Sequence, residues 1–297
     1  MKRIVLAIIL VLVMAVFAGC ASYDFEETGM YIVEADDALD MMSGGAILVD
    51  VQAAEDYAAM HIDGAINIPM GELTTDDPYK NMLPKKKQVE SVMSSAGVTE
   101  ENTLLVYDCT ANMQAARVQW TLNYYNNYNV KVVSGGLEAL ERAGAATSTE
   151  AAVLPEAEYN CGDKQRKLLV SYDYIKGLID EPEEGTLIID TRSAEEYAEG
   201  TIPGAVRIEY VWNNYANDEY KSVRDLQSTY LNKDIYPEMK LIVFCKTSVR
   251  AAQAYTALKD AGFQDVRVYD GAWLEYSDLE DPQVPEQTTV PTIQDAS

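Results

Sequence analysis

The chain has 297 residues, enough for two domains at roughly 100–200 residues each. Its formal charge of −25, from 23 Lys and Arg against 48 Asp and Glu, argues against nucleic acid as a partner, because phosphate neutralisation needs clustered cations. A single histidine removes multi-His metal sites and makes a Ser-His-Asp triad improbable. Four cysteines are too few for a disulfide scaffold at this length.

Residues 1–20 read as an address. Lys2 and Arg3 precede an unbroken apolar run from Ile4 to Phe17. That run is shorter than the ~20 residues of a spanning helix and suits the core of a signal peptide. It ends in Phe17-Ala18-Gly19-Cys20, which resembles a bacterial lipobox with Phe17 in place of the usual Leu. The resemblance implies lipidation of Cys20, an extracytoplasmic location, and a cell-membrane lipid anchor rather than a transmembrane helix.

The body is one unit written twice. A first domain is expected over 30–143. It opens with the apolar run Ile47–Val51, then Tyr57 and His61-Ile62-Asp63-Gly64-Ala65. Leu104-Leu105-Val106-Tyr107 follows, with Cys109 beyond it and Gly135-Gly136 near the end. Asp76–Lys87 lacks clear periodicity and reads as a long connection. Residues 144–167, rich in Ala, Thr, Ser and Glu around Pro155, read as a linker holding Cys161 as an incidental thiol. A second domain is expected over 168–280, where Leu187-Ile188-Ile189-Asp190, Tyr197, and Thr201-Ile202-Pro203-Gly204-Ala205 repeat the first set. Trp212–Asn232 again reads as a long connection. Leu241-Ile242-Val243-Phe244 and Cys245 follow, then Ala251, Ala252, Tyr255, Leu258 and Ala261 at helical spacing with Gly262 placed to end the helix. Asp270-Gly271 pairs with Gly135-Gly136, and 281–297, with Pro282, Pro285 and Pro291, reads as a disordered tail. Apolar runs without polar alternation, separated by helical patterns, predict an α/β fold with parallel sheets covered on both faces.

At these residues the chain resembles the tandem rhodanese family of sulfurtransferases. The second domain carries Asp190-Thr191-Arg192, Ile202-Pro203-Gly204-Ala205 and Cys245-Lys246-Thr247-Ser248-Val249-Arg250; the first carries Asp50-Val51-Gln52, His61-Ile62-Asp63-Gly64-Ala65, and Tyr107-Asp108 with Ala115-Ala116-Arg117 and Trp120. The resemblance implies two rhodanese-like domains, each a parallel sheet flanked by helices, with the second catalytic and the first degenerate. Ser248 stands where the family loop often has Gly, Thr201 where His is usual, and Gln52 and Gln114 where Arg would sit. At the nucleophile position of the first domain two residues compete: Cys109, six before Ala115 as Cys245 is six before Ala251, and Asp108.

Sulfur transfer needs a thiolate and a site for an anionic intermediate, but no general-base histidine. Cys245 ends an apolar strand and precedes a helix, so the amides of Lys246, Thr247, Ser248, Val249 and Arg250 can surround its sulfur, with Lys246 and Arg250 adding two cations. These residues are the expected binding loop, and Cys109 is a candidate second thiol whose neighbours Thr110 to Gln114 carry no charge. His61 and Arg192 read as structural, and Arg207 and Arg224 as solvated surface. Four residues separate Cys245 from Arg250, one fewer than in phosphatases of related fold, which favours a terminal sulfur over a phosphoryl group. The expected substrates are a small sulfur-containing anion, such as thiosulfate or 3-mercaptopyruvate, and a thiol or cyanide acceptor. Neither a cofactor nor a metal is expected, since no Gly-rich phosphate motif or metal-ligand spacing occurs. The alternative is a catalytically silent module that binds a partner or senses sulfur or redox state at the cell surface.

Overall fold

The computed structural model describes residues 30–280. The lipobox cysteine and the expected tail lie outside those residues. The first half contains strands β1 (Ile32–Val33), β2 (Ile47–Asp50), β3 (His61–Ile62), β4 (Ile66–Asn67), β5 (Leu104–Tyr107), β6 (Val130–Val133) and β7 (Thr147–Ser148). Its helices are α1 (Ala35–Ser43), α2 (Ala54–Ala59), α3 (Lys86–Ser95), α4 (Met113–Tyr124) and α5 (Gly136–Arg142). The second half contains β8 (Leu169–Val170), β9 (Thr186–Asp190), β10 (Val206–Arg207), β11 (Lys240–Phe244) and β12 (Asp265–Tyr269). Its helices are α6 (Tyr172–Asp180), α7 (Ala194–Glu199), α8 (Val223–Leu231), α9 (Val249–Asp260) and α10 (Ala272–Leu279).

Each half folds around one five-stranded parallel sheet, β1-β6-β5-β2-β4 in the first and β8-β12-β11-β9-β10 in the second. Corresponding strands occupy corresponding places, so the sequence repeat is a structural repeat. The central strands are buried on both faces, Leu104 to Tyr107 and Leu241 to Phe244 throughout, as their unbroken apolar runs require.

Helices α4 and α9 pack on one another between the two sheets and are buried nearly all round, including polar Arg117, Gln119, Gln253 and Thr256. Buried polar groups need partners. Thr256 Oγ1 donates to Gln119 Oε1 at 2.6 Å, and the Asp260 carboxylate accepts from the amides of Tyr31 and Ile32. The two halves therefore share one core across the α4–α9 seam, and the two cysteine-bearing helix starts are held in a fixed relation.

The two stretches read from sequence as long connections are more ordered than expected. The first runs into α3, and in the second Ser222 caps α8, accepting the Asp225 N–H at 3.2 Å. Only Leu226 and Tyr230 of it are buried, too sparse a pattern to stand out in sequence. The segment 144–167 has little regular structure but is not free of the body. β7 pairs antiparallel with β3, and Tyr159 and Cys161 are buried.

Candidate active site

In each half, the central strand ends at the same point of the sheet: Asp50 pairs with Tyr107 and Asp190 with Phe244. The next residue opens the loop to the buried helix, so Asp108 is the structural counterpart of Cys245. A second contact agrees. The Asp108 carbonyl accepts from Leu137 N–H and the Cys245 carbonyl from Trp273 N–H, both at 2.9 Å. The spacing argument for Cys109 fails because the first-half loop is one residue longer: the left-handed cap Asn112 lies four residues after Asp108, whereas its counterpart Ser248 lies three after Cys245. The same equivalence moves the glycine pairing by one: Ser134-Gly135 faces Asp270-Gly271, and Gly136 faces Ala272.

Asp108 reveals what the loop is built to hold. Its carboxylate is buried and accepts four backbone N–H groups, from Thr110 (2.9 Å), Asn112 (3.0 Å), Gln114 (2.7 Å) and Ala115 (2.9 Å). These are the orphan donors of a tight turn and a helix start, converging on one anion. In the second half Cys245, 1% exposed, opens the corresponding strand–loop–helix junction, whose loop is one residue shorter. Gly136 is required beside the first cradle, where a Cβ would sit 2.0 Å from the Asp108 carbonyl oxygen.

Ser248 adopts φ +67°, a left-handed conformation that costs an L-residue roughly 1–2 kcal/mol. Its hydroxyl offsets part of that cost by donating to the Asp270 carbonyl at 2.5 Å, with the Tyr269 carbonyl at 3.2 Å. Asn112 holds the same φ in the first half. Both are residues whose side chains hydrogen-bond the turn after the neighbouring strand, Ser248 to the Asp270 carbonyl and Asn112 Oδ1 from the Gly135 N–H.

The charges around Cys245 differ from the sequence expectation of two free cations. Arg250 is held in a bidentate pair with Glu196, Nη1 to Oε2 at 2.6 Å and Nη2 to Oε1 at 2.8 Å. Burial alone would lower the proton affinity of Arg250, but Glu196 and the nearby Cys245 sulfur raise it above the ordinary guanidinium value. The Arg250 guanidinium in turn pulls the Glu196 carboxyl down to about 2. Lys246 is exposed. Arg192 is structural, as expected: it forks onto Asp190, donates to the Gly200 carbonyl at 2.6 Å, and lies over Trp273. Thr201, which stands where histidine was expected, completes this network by donating to Asp190 Oδ2 at 2.8 Å.

Contacts that sequence reasoning did not anticipate come from the first half. Its hairpin-like segment, bridged between Thr75 and Met82, crosses to the second-half loop. Asn81 Nδ2 donates to Thr247 Oγ1 at 3.2 Å, the Leu83 N–H to Asp270 Oδ2 at 2.7 Å, and Tyr79 to Asp278. Arg117, buried in α4, pairs with Asp270 at 2.8 Å and donates to the Asn81 carbonyl at 2.6 Å. The arrangement is reciprocal: Asn112 of the first cradle donates to the Asp218 carbonyl, and Tyr220 N–H to Ser134 Oγ. Only the connection's length hinted at this.

The remaining thiols are poorly placed for anion chemistry. Cys109 points at Gln52 Oε1, 3.0 Å away, and burial, then Asp108, Asp50 and Asp56, push its thiol up. Burial, with Glu90 adding to it, pushes Cys161 up to about 12. His61 stacks on Tyr57 and bonds the Tyr57 and Glu150 carbonyls. Arg207 pairs with Glu209 and lies over Trp212. Among the described residues no His, Cys, Asp and Glu cluster could hold a metal. A concavity of about 500 Å³ lies at the far end of α9 beside Tyr255 and Lys259 and includes no cradle residue. That groove holds neither Cys245 nor a residue of its loop, so the cradle and not this groove is the candidate site.

A family model described as Rhodanese-like domain matches residues 34–143 and 171–279. The putative thiosulfate sulfurtransferase of Haloferax volcanii is 28% identical over 249 residues, spanning 78% of this chain and 85% of that protein. The 3-mercaptopyruvate sulfurtransferase of Escherichia coli is 28% identical over 240 residues, spanning 76% and 84%. Among solved structures, the 3-mercaptopyruvate sulfotransferase SseA from Escherichia coli superposes with a TM-score of 0.74 at 25% identity, covering 82% of this chain and 99% of that one. The anaerobic ergothioneine biosynthesis enzyme from Chlorobium limicola, at TM-score 0.77 and 21% identity over 90% and 72% of the two chains, shares the fold.

Proposed function

Because this chain belongs to the rhodanese family, with its domain present twice, we propose that it is a sulfurtransferase in which Cys245 carries the transferred sulfur as a persulfide. One observation carries the reading. The two halves have corresponding strand–loop–helix junctions; backbone amides of the first converge on a fixed carboxylate, Asp108, and a cysteine, Cys245, stands at the corresponding place in the second. An anion that comes and goes on Cys245 would occupy the place that Asp108 occupies permanently. The names of the related sulfurtransferases support the same chemistry.

In the first step the Cys245 thiolate attacks the donor's outer sulfur. With thiosulfate the S–S bond breaks and sulfite leaves with the electron pair. With 3-mercaptopyruvate the C–S bond breaks, and the thiol proton ends on the carbon of pyruvate. Either way Cys245 is left as a persulfide anion, whose outer sulfur faces helix-start amides that are already oriented and need no reorganisation. In the second step an acceptor thiolate or cyanide attacks that outer sulfur, and the bond to Cys245 breaks to return the thiolate. Lys246, Thr247, Ser248, Val249 and Arg250 form the loop around both steps, and Asn81 of the first domain braces Thr247. The first domain acts as support, its own cradle closed by Asp108. The lipobox-like Phe17-Ala18-Gly19-Cys20 supports placing this activity at the outer face of a membrane, on a lipid anchor at Cys20.

Intact-mass analysis after thiosulfate or 3-mercaptopyruvate treatment tests the reading. Wild type should gain one sulfur, ~32 Da, that cyanide removes, as a covalent carrier requires. Cys245→Ser should gain none and Cys109→Ser should behave as wild type. A wild-type chain that takes up no sulfur would instead be a silent sensing module, and uptake surviving Cys245→Ser would move the carrier elsewhere.

A further inference from the structure

The groove at the far end of α9 is built by both domains, and sulfur transfer has no use for it. Tyr31 and Tyr128 come from the first domain, Tyr255 and Lys259 from α9, and Lys167 from the segment that leads into β8. Its volume of about 500 Å³ lies in the range that takes a small organic ligand, and clefts between domains are favoured places for one.

Charge is the first pointer to the ligand. Among the lining residues Lys167, Lys259 and Arg267 are cations and Asp265 is the carboxylate. Arg267 takes both Asp265 oxygens, each at 2.7 Å. Among the described residues no ion pair reaches Lys167 or Lys259. Behind the wall, the Asp260 carboxylate accepts from the Tyr31 and Ile32 amides and has Lys131 near it. Lys259 directs two of its three N–H groups to the Phe263 and Gln264 carbonyls, at 3.1 and 3.0 Å, which leaves one to donate. Burial and then the like charge of Lys167 lower its proton affinity, and an anion beside both lysines would relieve that repulsion. This local positive excess stands in a chain whose net charge is −25.

The second pointer is the aromatic wall. Tyr31 and Tyr255 meet edge to face with centroids 6.2 Å apart, and Tyr128 is 36% exposed, so flat ring surface faces the groove beside the cations. Tyr255 is fully buried as a residue, yet its hydroxyl has no hydrogen-bond partner: Tyr31 and Asn123 are its polar neighbours, but neither meets it in hydrogen-bond geometry. A buried donor without a partner is costly, and such groups in folded proteins are few.

We propose that this groove is a second binding site, for a small aromatic anion whose ring lies against the tyrosines and whose charged group meets Lys167 and Lys259. Apolar flat surface and unpaired cations together select for a ligand carrying both features, and neither a bare inorganic anion nor a neutral ring satisfies the pair.

Titration calorimetry of the full chain tests this with 2-naphthoate and 2-naphthyl phosphate, which share the ring system and differ in the anionic group. At least one should bind with a Kd below ~1 mM, and the tighter of the two identifies the preferred anion. Naphthalene-2-methanol keeps the rings without the charge, acetate and inorganic phosphate keep the charge without the rings, and each should bind at least about tenfold more weakly. Lys259→Gln should weaken the better probe about tenfold, the loss of a charged hydrogen bond, and Lys167→Gln about threefold, as an exposed ion pair does. Tyr128→Ala should cost about fivefold through lost ring contact. Lys167 and Tyr128 are exposed, so their variants keep the fold, which circular dichroism checks. Lys246→Gln, in the Cys245 loop, should leave the affinity unchanged. No binding of either naphthyl anion, equal binding of the neutral alcohol, affinity indifferent to all three groove variants, or affinity lost in Lys246→Gln would each overturn the proposal. None of these readouts depends on Cys245 carrying sulfur, so the two readings stand or fall separately.

Discussion

Replacing Asp108 by alanine tests whether the amide cradle is an anion site built into this loop. The carboxylate accepts four N–H groups at 2.7–3.0 Å and is buried. A buried donor left without a partner costs about 1–3 kcal/mol. Water entering the vacated space can satisfy about two of the four, so two unsatisfied donors remain, at about 2 kcal/mol each. Loss of a negative charge from the start of α4 adds up to about 1 kcal/mol. The expected destabilisation is thus about 4–5 kcal/mol, or a fall in Tm of roughly 10 °C for a chain of this size. Asp108→Asn retains one acceptor oxygen and should lose about half as much, whereas Cys109→Ser should change stability by less than about 0.5 kcal/mol. Urea unfolding and thermal melts of the full chain read all three. A loss under 1 kcal/mol for Asp108→Ala, or a larger loss for Cys109→Ser, would refute the assignment of Asp108 to the cradle.

Three further outcomes are expected. The folded-state pKa of Glu196 is depressed from 4.5 to about 2 by Arg250, so its contribution to stability is full above pH 4.5 and lost as pH falls towards 2; the stability difference between wild type and Glu196→Gln, followed by urea titration, should shrink across that window, and a constant difference would show that the pair does not act through charge. Cys161, pushed up to about 12 by burial, should resist iodoacetamide at pH 8 in the native protein and react once unfolded; rapid native labelling at Cys161 by peptide mapping would contradict its burial. Cys20→Ala should leave the protein unacylated and release it from the membrane fraction, and unaltered retention with normal processing would remove the lipid-anchor proposal.

Much of the architecture was legible in the residues themselves. The Asp50 and Asp190 strands, the Gly64 and Gly204 turns, and the apolar runs before Cys109 and Cys245 recur in order, and uninterrupted apolar strands between helices leave parallel sheets as the arrangement that buries both faces. Gly262 after Ala261 marked the end of α9, and the strand–Cys245–helix junction marked an anion-favouring turn. These features are local: period, punctuation and the chemistry of one loop. What tertiary structure decided depends on residues far apart in sequence. Counting six residues back from Ala115 pointed to Cys109 and not to Asp108, because a one-residue difference in loop length is invisible until the ladder pairing Asp50 with Tyr107 shows which residue follows the strand. That the Arg250 cation expected beside Cys245 is also paired with a carboxylate was not legible, because Glu196 comes from another helix. The hairpin that brings Asn81 to Thr247, and Arg117 to Asp270, crosses from one domain to the other. Hydrogen bonds and ion pairs act over about 3 Å of space whatever the separation along the chain, so only the packed α4–α9 seam could decide which of these groups meet.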